Sequence, residues 1–154
     1  MTNITPDYIK ANFGRIWPSH VGSLTRFLIH CRQHFDGDLD LFLVLAVIGD
    51  RSFASGVVSI DMDYKTFIDP ERERTQPQPI NSLSISAFSR IPRETVRRKV
   101  QELIDRGWVQ RDELGHLSAT RQAAAQLAPL TEISMDYLAQ MAATLHIKAD
   151  GRGP

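Results

Sequence analysis

The stretch SISAFSRIPRETVRRKVQELIDRGWVQRDELGHLSAT, residues 84–120, decides the fold. It predicts a short helix over 84–89, a turn at Arg90 and Ile91, and a second helix from about 93 to 106 that Gly107 ends. Two short strands, 108–111 and 116–118, are expected next, joined by residues 112–115. A helix, a tight turn, a second helix and a hairpin should therefore follow one another directly.

The second helix has one apolar side. At about 100° per residue, four of its apolar residues fall within one third of the helical wheel: Val96, Val100, Leu103 and Ile104. Ile85 and Ile91, six residues apart, extend this pattern into the preceding helix and the turn. Such spacing predicts two helices that are held against each other by a shared apolar contact.

The charges are unevenly distributed along a chain that has no net charge. Residues 36–73 are rich in acids, whereas residues 90–99 carry a cluster of cations opposed only by Glu94: Arg90, Arg93, Arg97, Arg98 and Lys99. A helix that is basic in its N-terminal half and acidic further on suits insertion of its first turns into a DNA major groove. Arginine can donate two hydrogen bonds to guanine, and Thr95 could contact a thymine methyl group or a phosphate.

Residues 84–120 resemble the winged helix-turn-helix of bacterial transcription regulators, and most of all the MarR-like regulators. The resemblance rests on IPRETVRRKVxxLxxxGWV, residues 91–109, in which x stands for any residue. It implies a mainly α-helical fold with a small two- or three-stranded β-wing, and double-stranded DNA as the partner. The expected DNA-binding residues are Arg90, Pro92, Arg93, Glu94, Thr95, Arg97, Arg98, Lys99 and, on the wing, Arg111.

Three features depart from that pattern. Arg90 stands where such turns often carry glycine. Residues 54–80 form a long stretch between helices, and 69–79 read as an exposed loop with several prolines. The hairpin is short, and Asp112 and Glu113 make its tip a poor phosphate binder.

The rest of the chain predicts helices on both sides of this unit. Thr5, Pro6 and Asp7 begin a helix that reaches about residue 16, and Pro18 begins another that reaches about 35. Residues 39–53 predict a very apolar helix buried on most sides, and 119–128 and 130–146 predict two more. We therefore divide the chain into 1–35, 38–120 with the long loop near 54–80, 121–147, and a disordered tail at 148–154.

The outer helices are expected to form a homodimer, since the resemblance implies that they pair across a two-fold axis. An apolar stripe on the last helix is the favoured seam, with a core inside the chain as the alternative: Leu130, Ile133, Tyr137, Leu138, Met141 and Leu145. Phe13 and Trp17 are expected in the core, although they could instead line the pocket of a small-molecule effector.

Other function classes have weaker support. We find no nucleophile elbow, phosphate loop or paired metal motif, so we expect neither an enzyme nor a cofactor. Cys31 is the single cysteine, which excludes a disulfide within one chain. His30 and His34 share a helix face but lack a third ligand, so no metal site is expected. No apolar run is long enough to span a membrane and no signal peptide is visible, which favours the cytoplasm.

The sequence thus predicts a sequence-specific DNA-binding transcription regulator that acts as a homodimer. Two alternatives stay open at this point. One is a winged-helix module that binds proteins and not DNA. The other is a sensor that responds to a metal through His30 and His34, or to oxidation through Cys31.

Overall fold

The computed structural model describes residues 3–53, 58–73 and 79–146. These residues are mainly helical and include one two-stranded antiparallel sheet, which confirms the coarse fold class. The predicted tail at 148–154 and parts of the long loop lie outside the described residues. In chain order the elements are α1 (Pro6–Ala11), α2 (Phe13–His34), α3 (Leu39–Ser52), α4 (Tyr64–Ile68), α5 (Ser82–Ser89), α6 (Arg93–Asp105), β1 (Val109–Arg111), β2 (Leu117–Ala119), α7 (Arg121–Gln126) and α8 (Ala128–His146).

The chain divides into two compact units. The outer unit comprises Met1–His34 and Pro129–Pro154, and the central unit comprises Phe35–Ala128. The outer unit thus holds α1, α2 and most of α8, whereas the central unit holds α3 to α7 with the sheet.

The central unit is built around α3, which lies against α5, α6 and β2. Phe35 supports this core because its ring meets the rings of Phe42 and Trp108 edge-on, each at 5.5 Å between centroids. The buried side chains come mainly from α3, α5, α6, the two strands and the segments that join them, and they include Leu41, Val44, Ile48, Ile80, Ile85, Ile91, Val96, Val100, Leu103, Trp108, Val109 and Leu117.

The sheet is a short hairpin that is tied to the start of α5. Val109 pairs with Ala119, and Arg111 pairs with Leu117. The Leu117 amide also donates to the Ile80 carbonyl at 2.8 Å, so the chain just before α5 runs beside β2. This bond holds the hairpin against the same helices that α3 supports.

Two helix predictions are corrected. Pro18 lies inside α2, and the break that precedes this helix falls at Asn12. Helix α3 is buried on one side only, because Leu39 and Leu43 remain 39% and 45% exposed. Helix α3 therefore carries more apolar side chains than the central unit buries.

The outer unit is held by side-chain contacts between α2 and α8. The hydroxyls of Ser19 and Thr144 are 3.0 Å apart, and His20 Nδ1 lies 3.1 Å from the Tyr137 hydroxyl. The Phe27 ring stacks on Tyr137 at 6.2 Å. Tyr137 thus packs within the chain, although it belongs to the stripe that was favoured as a dimer seam.

Phe13 and Trp17 do not belong to the core, contrary to the prediction. Their side chains are 51% and 46% exposed, and their rings stack on each other at 5.3 Å. Both lie on the side of α2 that also carries the exposed Val21 and Leu28. The described residues of the outer unit therefore leave an apolar stripe along α2 about half exposed.

Candidate nucleic-acid interface

The turn between α5 and α6 fixes the direction in which α6 leaves. Arg90 adopts a left-handed conformation, with φ 61° and ψ 13°, at the end of α5. Its amide donates to the Ser86 carbonyl at 2.9 Å, and the Ser86 hydroxyl donates to the Ile91 carbonyl at 2.7 Å. The Ile91 amide in turn donates to Ser89 Oγ at 3.2 Å. Two serines therefore hold a turn that glycine would otherwise form without strain.

Apolar contacts lock the same two helices together. Ile85 on α5 is fully buried, and Ile91 in the turn is 8% exposed. On α6 the predicted stripe is buried at Val96, Val100 and Leu103. With this side of α6 inside, its opposite side faces solvent.

The N-terminal turns of α6 carry the exposed polar residues that the sequence singled out. Pro92 occupies the N-cap position and makes no side-chain capping bond, so the first amides of the helix are not capped by it. Arg93, Glu94 and Arg98 are exposed, and Thr95 is half-buried. This end of α6 offers cationic side chains and helix N–H groups, both of which suit a phosphate.

Arg97 differs from its neighbours because Glu94 holds its guanidinium. Nε donates to Glu94 Oε2 at 3.0 Å, and Nη2 donates to Oε1 at 2.7 Å. The hydrogen bond from Arg97, helped by the charges of Arg97 and Arg98, lowers the pKa of Glu94 below its usual value. Among the described residues, Arg90, Arg93 and Arg98 form no ion pair.

Lys99 does not join this surface, which corrects its assignment as a DNA contact. Its ammonium group forms an ion pair with Asp38, and the two side chains are only 16% and 28% exposed. Asp38 also caps α3 by accepting the Leu41 amide at 2.9 Å. Burial raises the pKa of Asp38, but the hydrogen bonds from Lys99 and Leu41 outweigh it and lower the pKa overall. Lys99 thus links α6 to the start of α3.

The hairpin tip is ordered by an acid. Asp112 Oδ1 accepts the amides of Leu114 and His116 at 2.9 and 2.8 Å, and its Oδ2 lies 3.2 Å from His116 Nδ1. These bonds lower the pKa of Asp112. Arg111, at the end of β1, is exposed. Arg111 is thus the single cation of a tip whose shape depends on a carboxylate.

Sequence reasoning missed two features near this interface. Arg106 bridges Glu102 and Asp36 at 2.6 and 3.0 Å and covers the Trp108 ring at 5.2 Å, so it anchors the end of α6. Phe88 and Leu83 on α5 are 66% and 53% exposed. The apolar character of α5 predicted a helix but did not show which of its residues face solvent.

The metal and thiol candidates gain no support. The His34 ring is hydrogen-bonded to the His30 carbonyl at 3.0 Å through Nδ1. The described residues contain no group of three His, Cys, Asp or Glu that could hold a metal ion. Cys31 is buried, and burial raises the pKa of its thiol, which makes it less reactive.

Comparisons with known proteins identify no relative. No family model matches the chain, and neither do any curated protein or any solved structure. In the described ranges, none of the helices combines the length and apolar character that crossing a bilayer requires. The case for a function must therefore come from the geometry of the interface itself.

Proposed function

We propose that this chain is a sequence-specific DNA-binding transcription regulator in which α3, α5, α6 and the β1–β2 hairpin form a winged helix-turn-helix. Helix α6 is the reading helix of this proposal, and the hairpin is the wing. The order of elements, the left-handed turn before α6 and the buried contacts between α5 and α6 support it. Bacterial regulators of this kind bind DNA in the cytoplasm, so the proposal places the chain there.

One observation carries the proposal. The exposed first turns of α6 present Arg93 and Arg98 without an ion-pair partner among the described residues. An arginine whose guanidinium N–H groups are not held by an acid can donate two hydrogen bonds to a guanine edge or bind a phosphate. We assign base contacts to Arg93, Thr95 and Arg98, and phosphate attraction to Arg90.

The regulator would bind as a homodimer, with two reading helices in half-sites about one helical turn apart. The stripe of Phe13, Trp17, Val21 and Leu28 along α2 supports pairing with a second copy. This placement revises the sequence interpretation, which favoured α8 for the seam.

The test replaces one exposed arginine at a time. Purified protein would first select its binding site from genomic DNA fragments, and affinity for that site would be measured by fluorescence anisotropy. Arg98→Ala should weaken binding by about 1–3 kcal/mol. Arg51→Ala, which removes an exposed cation at the end of α3, is the matched control and should change little. Equal effects of the two variants would contradict the assignment.

Salt dependence offers an independent check. Each phosphate contact adds about 0.9 to the slope of log affinity against log salt, so several contacts per copy predict a steep decline. Arg90→Ala should reduce that slope. A flat response between low and moderate salt would exclude DNA as the main partner.

A protein-binding winged helix is the second candidate, and the exposed apolar residues of α5 favour it. Phe88 and Leu83 would then contact the partner, and the acidic hairpin tip would not need to approach phosphate. Phe88→Ser separates the two candidates. Under our proposal, wild type binds DNA and Phe88→Ser should leave that affinity nearly unchanged. Under the alternative, wild type itself retains no DNA.

A further inference from the structure

The central unit contains a cavity of about 480 Å³ between α4 and α7. This size falls in the range of about 300–1,000 Å³ that is typical of small-molecule sites. The cavity is lined by Tyr64, Ile68, Asp69, Pro70, Arg121, Gln122, Ala124, Ala125 and Ala128. It lies apart from the exposed face of α6, so the proposed DNA contacts do not use it.

The cavity exists because its α7 wall is made of alanine. Ala124 and Ala125 on α7, with Ala128 at the start of α8, are too small to reach the side chains of α4 across the gap. Helix α4 is itself held in place, since the Phe67 ring lies 5.8 Å from Phe53 and beneath the guanidinium of Arg72 at 5.4 Å. An apolar guest could therefore occupy the space without displacing α4.

Polar groups gather at the rim of this apolar space. Arg121, which is exposed, donates from Nη2 to the Arg72 carbonyl at 2.8 Å, so its side chain is held over the segment that follows α4. A guanidinium carries five N–H donors and can bind a carboxylate while keeping that bond. Asp69 is turned towards its own loop, where Oδ1 accepts the Glu71 amide at 2.9 Å. Arginine is thus the group available to recognise a ligand's charge.

We propose that the α4–α7 cavity binds a small molecule with an apolar chain and a carboxylate head. The chain lies against the alanine wall and Ile68, and the carboxylate accepts hydrogen bonds from Arg121. Tyr64 lines the cavity on the α4 side, and its phenolic hydroxyl is a second group that can donate a hydrogen bond to a carboxylate. A medium-chain fatty acid has this chemistry.

The far side of α7 connects the cavity to the end of α6. The Thr120 hydroxyl, at the N-cap of α7, donates to the Gly107 carbonyl at 2.6 Å, and its amide donates to the Trp108 carbonyl at 3.0 Å. Trp108 Nε1 donates to Gln126 Oε1 at 2.6 Å. A ligand that shifts α7 would therefore shift the residues that end α6. This regulatory step rests on the proposed DNA-binding function, whereas ligand binding itself does not.

Binding is tested with decanoate as the probe, by isothermal titration of the full chain. Wild type should bind one decanoate per chain. Decanol, which has the same chain without the charge, and the variant Arg121→Gln with decanoate should each bind about tenfold more weakly. Equal affinity for decanoate and decanol would overturn the role of Arg121.

Filling the cavity provides the second arm. Ala124→Leu and Ala125→Leu should each weaken decanoate binding at least about tenfold, because the added carbons occupy the ligand's space. Ala46→Leu, at an exposed position on α3, is the matched control and should leave binding unchanged. Circular dichroism identifies a variant that fails to fold, and the other filled variant then decides. The site is overturned if wild type does not bind decanoate, or if a folded filled variant binds it as well as wild type.

The regulatory step is measured separately, as DNA affinity with and without saturating decanoate. A change in affinity that Ala124→Leu abolishes supports the coupling. Unchanged DNA affinity with bound decanoate overturns the coupling and leaves the site standing. If the chain binds no DNA but binds decanoate, the proposed function fails and the cavity assignment survives.

Discussion

At the scale of single residues, Arg97 and Arg98 are adjacent in the sequence but differ in what their guanidinium groups meet. Arg97 donates hydrogen bonds to both carboxylate oxygens of Glu94, whereas Arg98 has no ion-pair partner among the described residues. The sequence alone counts both as equal cations. In the structure, Glu94 partly neutralises the exposed N-terminal turns of α6 and holds the guanidinium of one of its arginines.

Under the proposed function, replacing Glu94 should therefore strengthen DNA binding. Glu94→Gln removes a negative charge from the face that approaches phosphate and releases the Arg97 fork, so affinity for the selected site should rise. The gain should shrink as salt is added, because it is electrostatic. Glu113→Gln, a matched change at the hairpin tip, is the control and should have a smaller effect. Weaker binding by Glu94→Gln would mean that Glu94 orients Arg97 for a base contact.

Lys99 shows a second way in which counting charges along the sequence misleads. Its partner, Asp38, lies 61 residues away in the sequence, so no local pattern could reveal the pair. The pair joins the start of α3 to the middle of α6, where both side chains are largely buried. Its role is to stabilise the central unit.

The Asp38 carboxylate should make the free energy of unfolding depend on pH. Its pKa is lowered in the folded state, so its contribution is complete above the unfolded pKa of about 4 and is lost as pH falls through the folded value. Asp38→Asn keeps an oxygen that can cap α3 but removes the charge that pairs with the largely buried Lys99 ammonium. It should therefore lower the free energy of unfolding at neutral pH by about 1–3 kcal/mol, the range for a buried group that loses its partner. Urea unfolding between pH 7 and pH 2 checks this.

The difference between wild type and Asp38→Asn isolates this group from other acids with lowered pKa values, such as Asp63 and Asp112. That difference should be largest at neutral pH and should diminish in acid. A difference that stays constant down to pH 2 would show that the carboxylate charge is unimportant to the α3–α6 link.

At the scale of elements, the turn between α5 and α6 combines strain with charge at Arg90. A left-handed conformation costs a residue with a side chain about 1–2 kcal/mol, while glycine loses about 0.4–1 kcal/mol through its freer unfolded chain. Arg90→Gly should thus leave stability equal or raise it by up to about 1 kcal/mol. Arg90→Ala removes the charge but keeps the strain, so thermal unfolding of the two variants separates the effects. A less stable Arg90→Gly would mean that the arginine side chain itself supports the turn.

Local patterns were sufficient to predict the elements of the candidate interface. The apolar spacing of Val96, Val100 and Leu103 predicted the buried side of α6, and Gly107 marked its end, where φ is 73°. These signals are local because each depends on one helix or one turn. The predicted strand positions were also close to the observed hairpin.

Non-local arrangement accounts for the errors. Whether Leu43 or Trp17 is covered depends on which elements lie beside α3 and α2, and periodicity does not carry that information. Proline is favoured at the first position of a helix, which made Pro18 the predicted start, yet α2 begins five residues earlier, at Phe13. The α4–α7 cavity was invisible for the same reason, since its two walls are distant in the sequence.

At the scale of the whole molecule, the outer unit has little core of its own. Among its described residues the buried apolar side chains are Ile16, Cys31 and Leu130, while four apolar residues of α2 form the exposed stripe. Since an aromatic side chain can bury about 150–250 Å², the half-exposed stripe offers roughly 300–400 Å² of apolar surface per copy. A standard interface buries about 800 Å² per partner, of which somewhat more than half is apolar. The stripe therefore supplies much of what a stable dimer needs.

The charges of the outer unit also suit a second copy. Helix α2 carries Arg15, Arg26 and Arg32 and no acid, whereas α8 carries Glu132 and Asp136 and neither lysine nor arginine. In a symmetric dimer the same surface faces itself, so α2 of one copy can approach α8 of the other with opposite charges. This arrangement predicts that the dimer weakens when a negative charge is placed within the apolar stripe.

Under the proposed pairing of two copies, Val21→Glu should convert the dimer into a monomer, since it places a carboxylate where the stripe would be buried. Analytical ultracentrifugation at micromolar protein measures this, and Gln33→Glu, an exposed position of α2 away from the stripe, is the matched control. A palindromic site gains affinity from two linked reading helices, by about a hundredfold or more, so the monomer should lose that gain while its affinity for an isolated half-site stays unchanged. A Val21→Glu chain that remains dimeric would place the interface elsewhere, and a monomer that keeps full affinity for the palindrome would show that one reading helix is sufficient.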